Sequence, residues 1–166
     1  MNIHKKEKGF TIIEVVLVLA IAGLIFLMVF IALPALQRSQ RDTQRKDDLS
    51  RVITAIASYS SINRNALPAF NDSFVSQYLT PTESDTFIDP SGKNTAQLAS
   101  TTTYQFVSSV TTPLAGKFDA SSTQNVIYYS SGYTCGATGD SIVAAGNRKV
   151  ALRMYLEGGG VNCMSN

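Results

Sequence analysis

The sequence predicts an α+β protein in which one long N-terminal helix packs, by its C-terminal half, on a small antiparallel β-sheet domain, the head (residues 64–166). Nineteen consecutive residues, Val15–Leu33, carry no charged or strongly polar side chain, which is the length of a membrane-spanning helix. After residue 40 the chain is rich in Ser, Thr and Asn and has no second run of this kind. Only 16% of the residues are charged, against about 25% in an average soluble domain. This composition excludes an ordinary cytosolic globular protein, a disordered tail and a transporter with several spans.

The first predicted element is a single helix from Phe10 to about Asn63, which would be about 80 Å long at about 1.5 Å per residue. Residues 10–36 are apolar on every side, as lipid or a bundle of helices requires. Residues 37–63 form an amphipathic continuation. Gly23 weakens the helix, and Pro34 lacks an N–H and clashes with the carbonyl four residues before it, so we expect a bend in this part.

The continuation changes character along its length. Gln37–Asp48 has no apolar aliphatic side chain, and two i,i+4 pairs are expected to support it, Asp42–Lys46 and Asp47–Arg51, at about 0.3–0.5 kcal/mol each. Beyond it lies an apolar stripe with helical spacing, which we expect to pack on the head: Leu49, Val52, Ile53, Ile56 and Ala57.

The head is predicted to contain a short helix, a turn and a sheet. Asn71 or Asp72 can cap the helix, and Asp89–Gly92 is a strong turn signal. Gly158–Gly160 is expected to form a mobile loop. Three segments have strand patterns and short polar connections, which favour an antiparallel meander: Thr103–Val110, Asn125–Ser130 and Lys149–Leu156.

The two cysteines, Cys135 and Cys163, lie late in the chain and do not form a C-x-x-C motif. In an exported protein they would form one disulfide, worth about 3 kcal/mol through loop closure. In a reducing compartment they would be two buried thiols.

Glu14 places a carboxylate directly before the apolar run. If this carboxylate lay in the middle of a membrane, its charge would cost about 2.5–3.5 kcal/mol of insertion free energy. One interpretation is that it lies at the membrane edge and reaches the headgroups. Another is that the chain is cut after Gly9, so that Phe10 carries a free α-amine one helical turn from Glu14. An ammonium and a carboxylate in a low dielectric would then pair, within one chain or between adjacent chains.

The segment Lys8-Gly9-Phe10-Thr11-Ile12-Ile13-Glu14, followed by Val15-Val16-Leu17-Val18, closely resembles the class III leader and N-terminal helix of type IV pilins and pseudopilins. The resemblance extends through the long helix and implies a pilin-like fold. It implies that residues 1–9 are a leader, that a prepilin peptidase cuts between Gly9 and Phe10, and that the new amine of Phe10 is methylated. Glu14 would be the carboxylate that supports assembly. The helix proline of the family commonly lies somewhat earlier than Pro34, which leaves the details of the bend open.

The resemblance therefore implies a prepilin, a structural subunit that polymerises into a surface pilus used for adhesion, motility or DNA uptake. Its partners would be other copies of the chain, the prepilin peptidase, the pilus assembly machinery of the cytoplasmic membrane and, before assembly, membrane lipid. The bacterial precursor would be a single-pass membrane protein with its head outside, and the assembled product an extracellular pilus.

Three alternatives remain. Within the family, the chain would be a pseudopilin of a type II secretion or competence machine. Outside it, the chain would be a single-pass, membrane-anchored extracellular binding module that never polymerises. The third alternative is a secretory signal peptide, because Ala20-Ile21-Ala22 fits a signal-peptidase site. Against it, Glu14 interrupts the apolar run before this site, and the run continues beyond it to Leu33.

The sequence gives no support for an enzyme, a cofactor or a bound metal. The single histidine, His4, lies in the leader, and no Gly-x-Ser-x-Gly or phosphate-binding glycine motif is present. Four head carboxylates fit no known calcium loop and are expected at the surface: Asp85, Asp89, Asp119 and Asp140.

Nucleic-acid binding by this subunit alone is not expected. Beyond Gly9 the chain carries equal numbers of basic and acidic side chains, so it has no net attraction for phosphate backbones. The head has one small basic cluster, which we expect at an exposed edge: Arg148, Lys149 and Arg153.

Overall fold

A computed structural model describes residues 9–80, 87–90, 104–112, 114 and 125–166, and it confirms the α+β fold with a long N-terminal helix. That helix, α1, runs from Ile12 to Ile62, close to the predicted bounds. The chain forms two compact units, one that ends at Gln37 and one from Arg38 to Asn166. The second half of α1 therefore belongs to the same unit as the head.

In the first unit, α1 exposes apolar side chains on all sides, as the composition of this segment predicts. By length and composition it is the one helix among the described residues that can cross a membrane. Pro34 lies inside α1 without ending it. The bend associated with Gly23 and Pro34 stays a prediction.

The head opens with a short helix, α2 (Asp72–Phe74), that continues into one π-helical turn, Val75–Leu79. The side chain of Asn71 caps α2 by accepting the N–H of Phe74 at 3.0 Å, as its position predicts. Six strands follow: β1 (Gln105–Ser108), β2 (Val126–Ser131), β3 (Tyr133–Cys135), β4 (Ile142–Ala144), β5 (Val150–Tyr155) and β6 (Val161–Ser165). The three strands expected from sequence correspond to β1, β2 and β5.

The main sheet has the order β1-β2-β5-β6, with antiparallel pairing of β2 with β5 and of β5 with β6. The pairing of β1 with β2 is parallel, so the expected simple meander is wrong at this edge. A parallel pair requires the connection between the two strands to return to the end of the sheet from which β1 started. A separate two-stranded sheet pairs β3 with β4.

The hydrophobic core lies between α1 and one face of the main sheet. Leu49, Val52 and Ile56 are fully buried, as the stripe predicts, whereas Ile53 is half-buried and Ala57 is exposed. The sheet contributes apolar side chains of its central strands: Ile127, Val150, Leu152 and Met154. Burial of such side chains, at about 1.5–3 kcal/mol each, holds this part of the helix to the sheet.

Cys135 of β3 and Cys163 of β6 form a disulfide, in agreement with the expectation for an exported chain. Beside it, the hydroxyls of Thr134 and Ser165 share a hydrogen bond of 2.7 Å. Together these bonds fasten the two-stranded sheet to an edge of the main sheet.

Candidate functional site

The expected processing site lies immediately before the start of α1. Gly9, Phe10 and Thr11 are outside the helix, and Phe10 is 89% exposed. Among the described residues, a Cβ added to Gly9 would meet no atom within 4 Å. The described part of the fold therefore does not require a glycine at position 9, whereas a molecule that recognises the segment could require one.

Thr11 and Glu14 form a reciprocal cap on the first turn of α1. The Oε2 atom of Glu14 accepts the backbone N–H and the hydroxyl of Thr11, each at 2.9 Å. The Oγ1 atom of Thr11 in turn accepts the N–H of Glu14 at 3.4 Å. This is a capping box, in which a Thr before the helix and a Glu three residues later satisfy N–H groups that have no partner in the helix. The Thr-x-x-Glu spacing in the sequence is the signal of such a box, although the box was not among the predicted features.

The capping box explains how the start of an apolar helix accommodates a carboxylate. A negative charge is favourable at the N-terminus of a helix, where backbone N–H groups point outward. Both bonds from Thr11 end on Oε2, and the structure shows no hydrogen bond to Oε1 from the residues that it describes. In the part of the chain that the structure describes, the Glu14 carboxylate is therefore oriented through Oε2.

The structure places the predicted site residues in two units. Gly9, Phe10 and Glu14 come together at the start of α1, and Gly23 and Pro34 lie further along the same helix. Cys135 and Cys163 belong to the second unit. His4 and the rest of the leader before Gly9 lie outside the described residues.

The head unit holds a charged cluster that was not predicted, centred on Arg45. The guanidinium of Arg45 is fully buried, and its Nε and Nη2 donate to the two carboxylate oxygens of Asp89 at 2.7 and 3.0 Å. Its Nη1 donates to Asp42 at 3.0 Å and lies 3.5 Å from Glu157. Arg41 donates to both oxygens of Glu157, at 2.7 and 2.6 Å. This ion pairing lowers the pKa of Glu157.

Asp42 binds the turn between β5 and β6 directly. Its two carboxylate oxygens accept the successive backbone N–H groups of Glu157 and Gly158, each at 2.7 Å. Successive N–H groups of this kind form a small anion-binding concavity. A Cβ added to Gly158 would lie 3.0 Å from a carboxylate oxygen of Asp42. The expected mobile loop at Gly158–Gly160 is therefore bound to α1 at its first glycine. We call Arg41, Asp42, Arg45, Asp89, Glu157 and Gly158 the clamp.

The i,i+4 pairs expected in this part of α1 are replaced by other pairs. Asp42 pairs with Arg45, and Arg51 lies 3.4 Å from Asp48, both at i,i+3. Asp48 also accepts the hydroxyl of Tyr104 at 3.0 Å in the interior. Burial raises the pKa of Asp48, while the hydrogen bond from Tyr104 works against that rise.

Arg153 is buried, which corrects its placement at an exposed basic edge. It lies on β5, and its guanidinium donates to the main-chain carbonyls of Thr111 at 2.8 Å, Asp140 at 3.1 Å and Ser109 at 3.0 Å. Within the described ranges its Nε has no hydrogen-bond partner. Only Arg148 and Lys149 of the expected cluster are exposed.

The carboxylates considered for calcium do not come together in the part of the chain that the structure describes. Asp89 is bound by Arg45 in the interior, so it is not a surface carboxylate as expected. Asp85 and Asp119 lie outside the described residues. Among those described, no group of three side chains is arranged to hold a metal ion.

Comparison with known proteins bears on the N-terminal segment. Residues 4–30 match the family model of the prokaryotic N-terminal methylation motif, the class III leader of type IV pilins. The matched range contains Gly9, Phe10, Thr11 and Glu14, and therefore the whole capping box. Neither a curated protein nor a solved structure matches the chain.

Proposed function

We propose that the chain is a type IV prepilin, a structural subunit that is cut between Gly9 and Phe10, methylated on Phe10 and polymerised into a pilus. The methylation motif at residues 4–30 indicates a pilin-like precursor with a membrane-anchoring helix. The observation that carries the further step is the capping box, which holds Glu14 by one carboxylate oxygen at the start of an otherwise apolar helix.

The physical basis of assembly is an exchange of apolar surroundings. Before assembly the exposed apolar side chains of α1 contact lipid, and in a filament they would contact the helices of neighbouring copies. The hydrophobic contribution is similar in both, because lipid chains and apolar helices are alike in polarity. Polar groups within the apolar layer would then determine which positions of neighbouring helices pair. The α-amine that processing creates on Phe10 would pair with Glu14, of the same chain or of an adjacent copy.

The first test is N-terminal mass spectrometry of the protein isolated from cells. We expect the mature chain to begin with a methylated Phe10. Gly9→Val is expected to leave an uncut precursor in the membrane, since the open space around Gly9 lets the variant fold normally. A mature protein that keeps residues 1–9 and still polymerises would contradict the proposal. Retention of these residues without polymerisation would favour the membrane-anchored binding module.

The second test separates insertion from assembly. Glu14→Ala is expected to leave membrane insertion unchanged and to reduce the yield of filaments at least tenfold. Asp47→Ala, which removes an exposed carboxylate further along α1, is the matched control. Normal filament yield from Glu14→Ala would refute the proposed role of Glu14. Long surface filaments composed mainly of this chain would favour a pilus, and their absence in cells that process the chain would favour a pseudopilin.

A further inference from the structure

The contacts between α1 and the head change character at residue 48. From Arg38 to Asp48 the helix has no apolar side chain, and its buried residues are Asp42, Arg45 and Asp48. From Leu49 onward the buried side chains of α1 are apolar. The first stretch is therefore held to the head by charged and polar contacts, most of them in the clamp, and the second by the hydrophobic core.

The two kinds of contact respond differently to opening. Opening the core exposes apolar surface to water, and no recovered interaction with water offsets this cost in free energy. Opening the clamp returns its charged groups to water, and their recovered hydration offsets much of the attraction that they lose. The clamp can therefore open while the core stays closed.

Asp42 also has an alternative partner within the helix. It stands four residues before Lys46, which is the favourable orientation for an i,i+4 pair. In the closed clamp Asp42 instead binds Arg45 and the turn at Gly158. On release, Asp42 can pair with Lys46, so the segment retains support for its helical conformation without the head.

The β5–β6 turn, on the head side of the clamp, can also separate from α1. Glu157 and Gly158 lie in a turn that continues through Gly159 and Gly160, which have φ values of 101° and 84°. Local hydrogen bonds close this turn, from Gly159 N–H to the carbonyl of Leu156 and from Leu156 N–H to that of Gly160, both at 3.1 Å. The turn can thus leave Asp42 without unpairing β5 from β6.

We propose that residues 41–47 of α1 form a charge-held hinge, which detaches from the β5–β6 turn and Asp89 while Asp48 stays bonded to Tyr104 and the core from Leu49 onward remains packed. Release frees seven residues, or about 10 Å of helix, from their bonds to the head. The hinge itself does not depend on polymerisation. Only its role in a filament, as a place where the head can move relative to the helix, rests on the proposed function.

The hinge can be tested by hydrogen exchange with mass spectrometry on the full-length chain in detergent micelles, at constant pH. The N–H groups of Glu157 and Gly158 report on the clamp, because both donate to Asp42. In Asp42→Ala we expect these two amides to exchange at least tenfold faster. Exchange in β5 and in residues 49–62 should not change. Asp47→Ala, whose side chain is exposed outside the clamp, should behave as the wild type throughout.

A second measurement covers the case in which Asp42→Ala does not fold. In the wild type, raising NaCl from about 50 mM to about 1 M shortens the screening length severalfold. It should therefore accelerate exchange of the same two amides at least threefold, without affecting β5. Unchanged protection of the turn under both perturbations would overturn the proposal. Parallel loss of protection in the turn, β5 and residues 49–62 would also overturn it, because the unit would then open as a whole. Neither readout requires filaments, so a failure of the hinge is distinguishable from a failure of the proposed function.

Discussion

Arg45 of α1 binds both carboxylate oxygens of Asp89 in the interior of the head unit, with Nε–Oδ2 and Nη2–Oδ1 distances of 2.7 and 3.0 Å. The two residues are 44 positions apart in the chain, and neither exposes more than 2% of its side chain. A planar guanidinium that donates in parallel to two oxygens accepts few other orientations. This pair therefore fixes the rotation of α1 about its own axis where the helix meets the segment that contains Asp89.

Arg45→Met is expected to destabilise the head unit by about 3–5 kcal/mol, because Asp89 would remain buried without its cation. The free energy of unfolding, measured by urea denaturation in detergent, checks this. Lys46→Met changes the exposed neighbour and should shift the same quantity by less than about 0.5 kcal/mol. Equal stabilities of the two variants would show that the buried pair contributes nothing to stability.

The Arg41–Glu157 pair is expected to make stability depend on pH in the acid range. The pKa of Glu157 is lower in the folded protein than its ordinary value of 4.5, chiefly through the hydrogen bonds from Arg41. Its contribution is therefore fully present above pH 4.5 and is lost as the pH falls through the folded pKa. A double-mutant cycle with Arg41→Gln and Glu157→Gln should give a coupling energy of about 0.5–1 kcal/mol at about pH 7, since both side chains are partly exposed. The coupling should decrease as the pH falls through the lowered pKa of Glu157, because the protonated carboxyl carries no charge, and a coupling that does not change with pH would contradict the assignment.

Tyr104→Phe is expected to cost about 1–3 kcal/mol, because the buried carboxylate of Asp48 loses a hydrogen-bond donor. Since that bond opposes the rise caused by burial, the pKa of Asp48 should increase further in the variant. A carbon-13 NMR titration of the Asp48 carboxyl measures this shift. Tyr78→Phe is the control, because its hydroxyl makes none of the described hydrogen bonds. A lower or unchanged pKa in Tyr104→Phe would rule out the bond as a stabiliser of the charged form.

Arg153→Met is expected to destabilise the head by more than about 2 kcal/mol, because it leaves the carbonyls of Thr111 and Asp140 without their donor and that of Ser109 with only the hydroxyl of Ser130. Unfolding monitored by circular dichroism gives the change in free energy. Arg148→Met, at an exposed position, should be nearly neutral. If the two variants had similar stabilities, the bonds of Arg153 would be dispensable.

The elements that were predicted correctly have strong local patterns. The bounds of α1 follow from a long apolar run and from the helical spacing of Leu49, Val52 and Ile56. β5 follows from the alternation of its side chains. β3, β4 and β6 were missed because they are short, and the polar residues Thr134 and Asn162 interrupt any apolar pattern. Their pairing depends instead on neighbours that the disulfide and the adjacent strands bring together.

The clamp was not predictable for a different reason. Within the helix, Asp42 and Lys46 have a favourable spacing, and local spacing alone points to that pair. The structure instead bonds Asp42 to the backbone of Glu157 and Gly158, more than a hundred residues later in the chain. Such partners are selected by the way the sheet folds back onto the helix. The capping box, by contrast, is local, and the Thr-x-x-Glu spacing is sufficient to predict it.

The bonds of Arg153 have a consequence for how this protein can vary over evolutionary time. Its acceptors at Ser109, Thr111 and Asp140 are main-chain carbonyls, which every amino acid supplies. Substitutions at these three positions can change the side chains without removing the bonds that anchor the backbone. A single arginine thus permits sequence drift in the segments that it anchors.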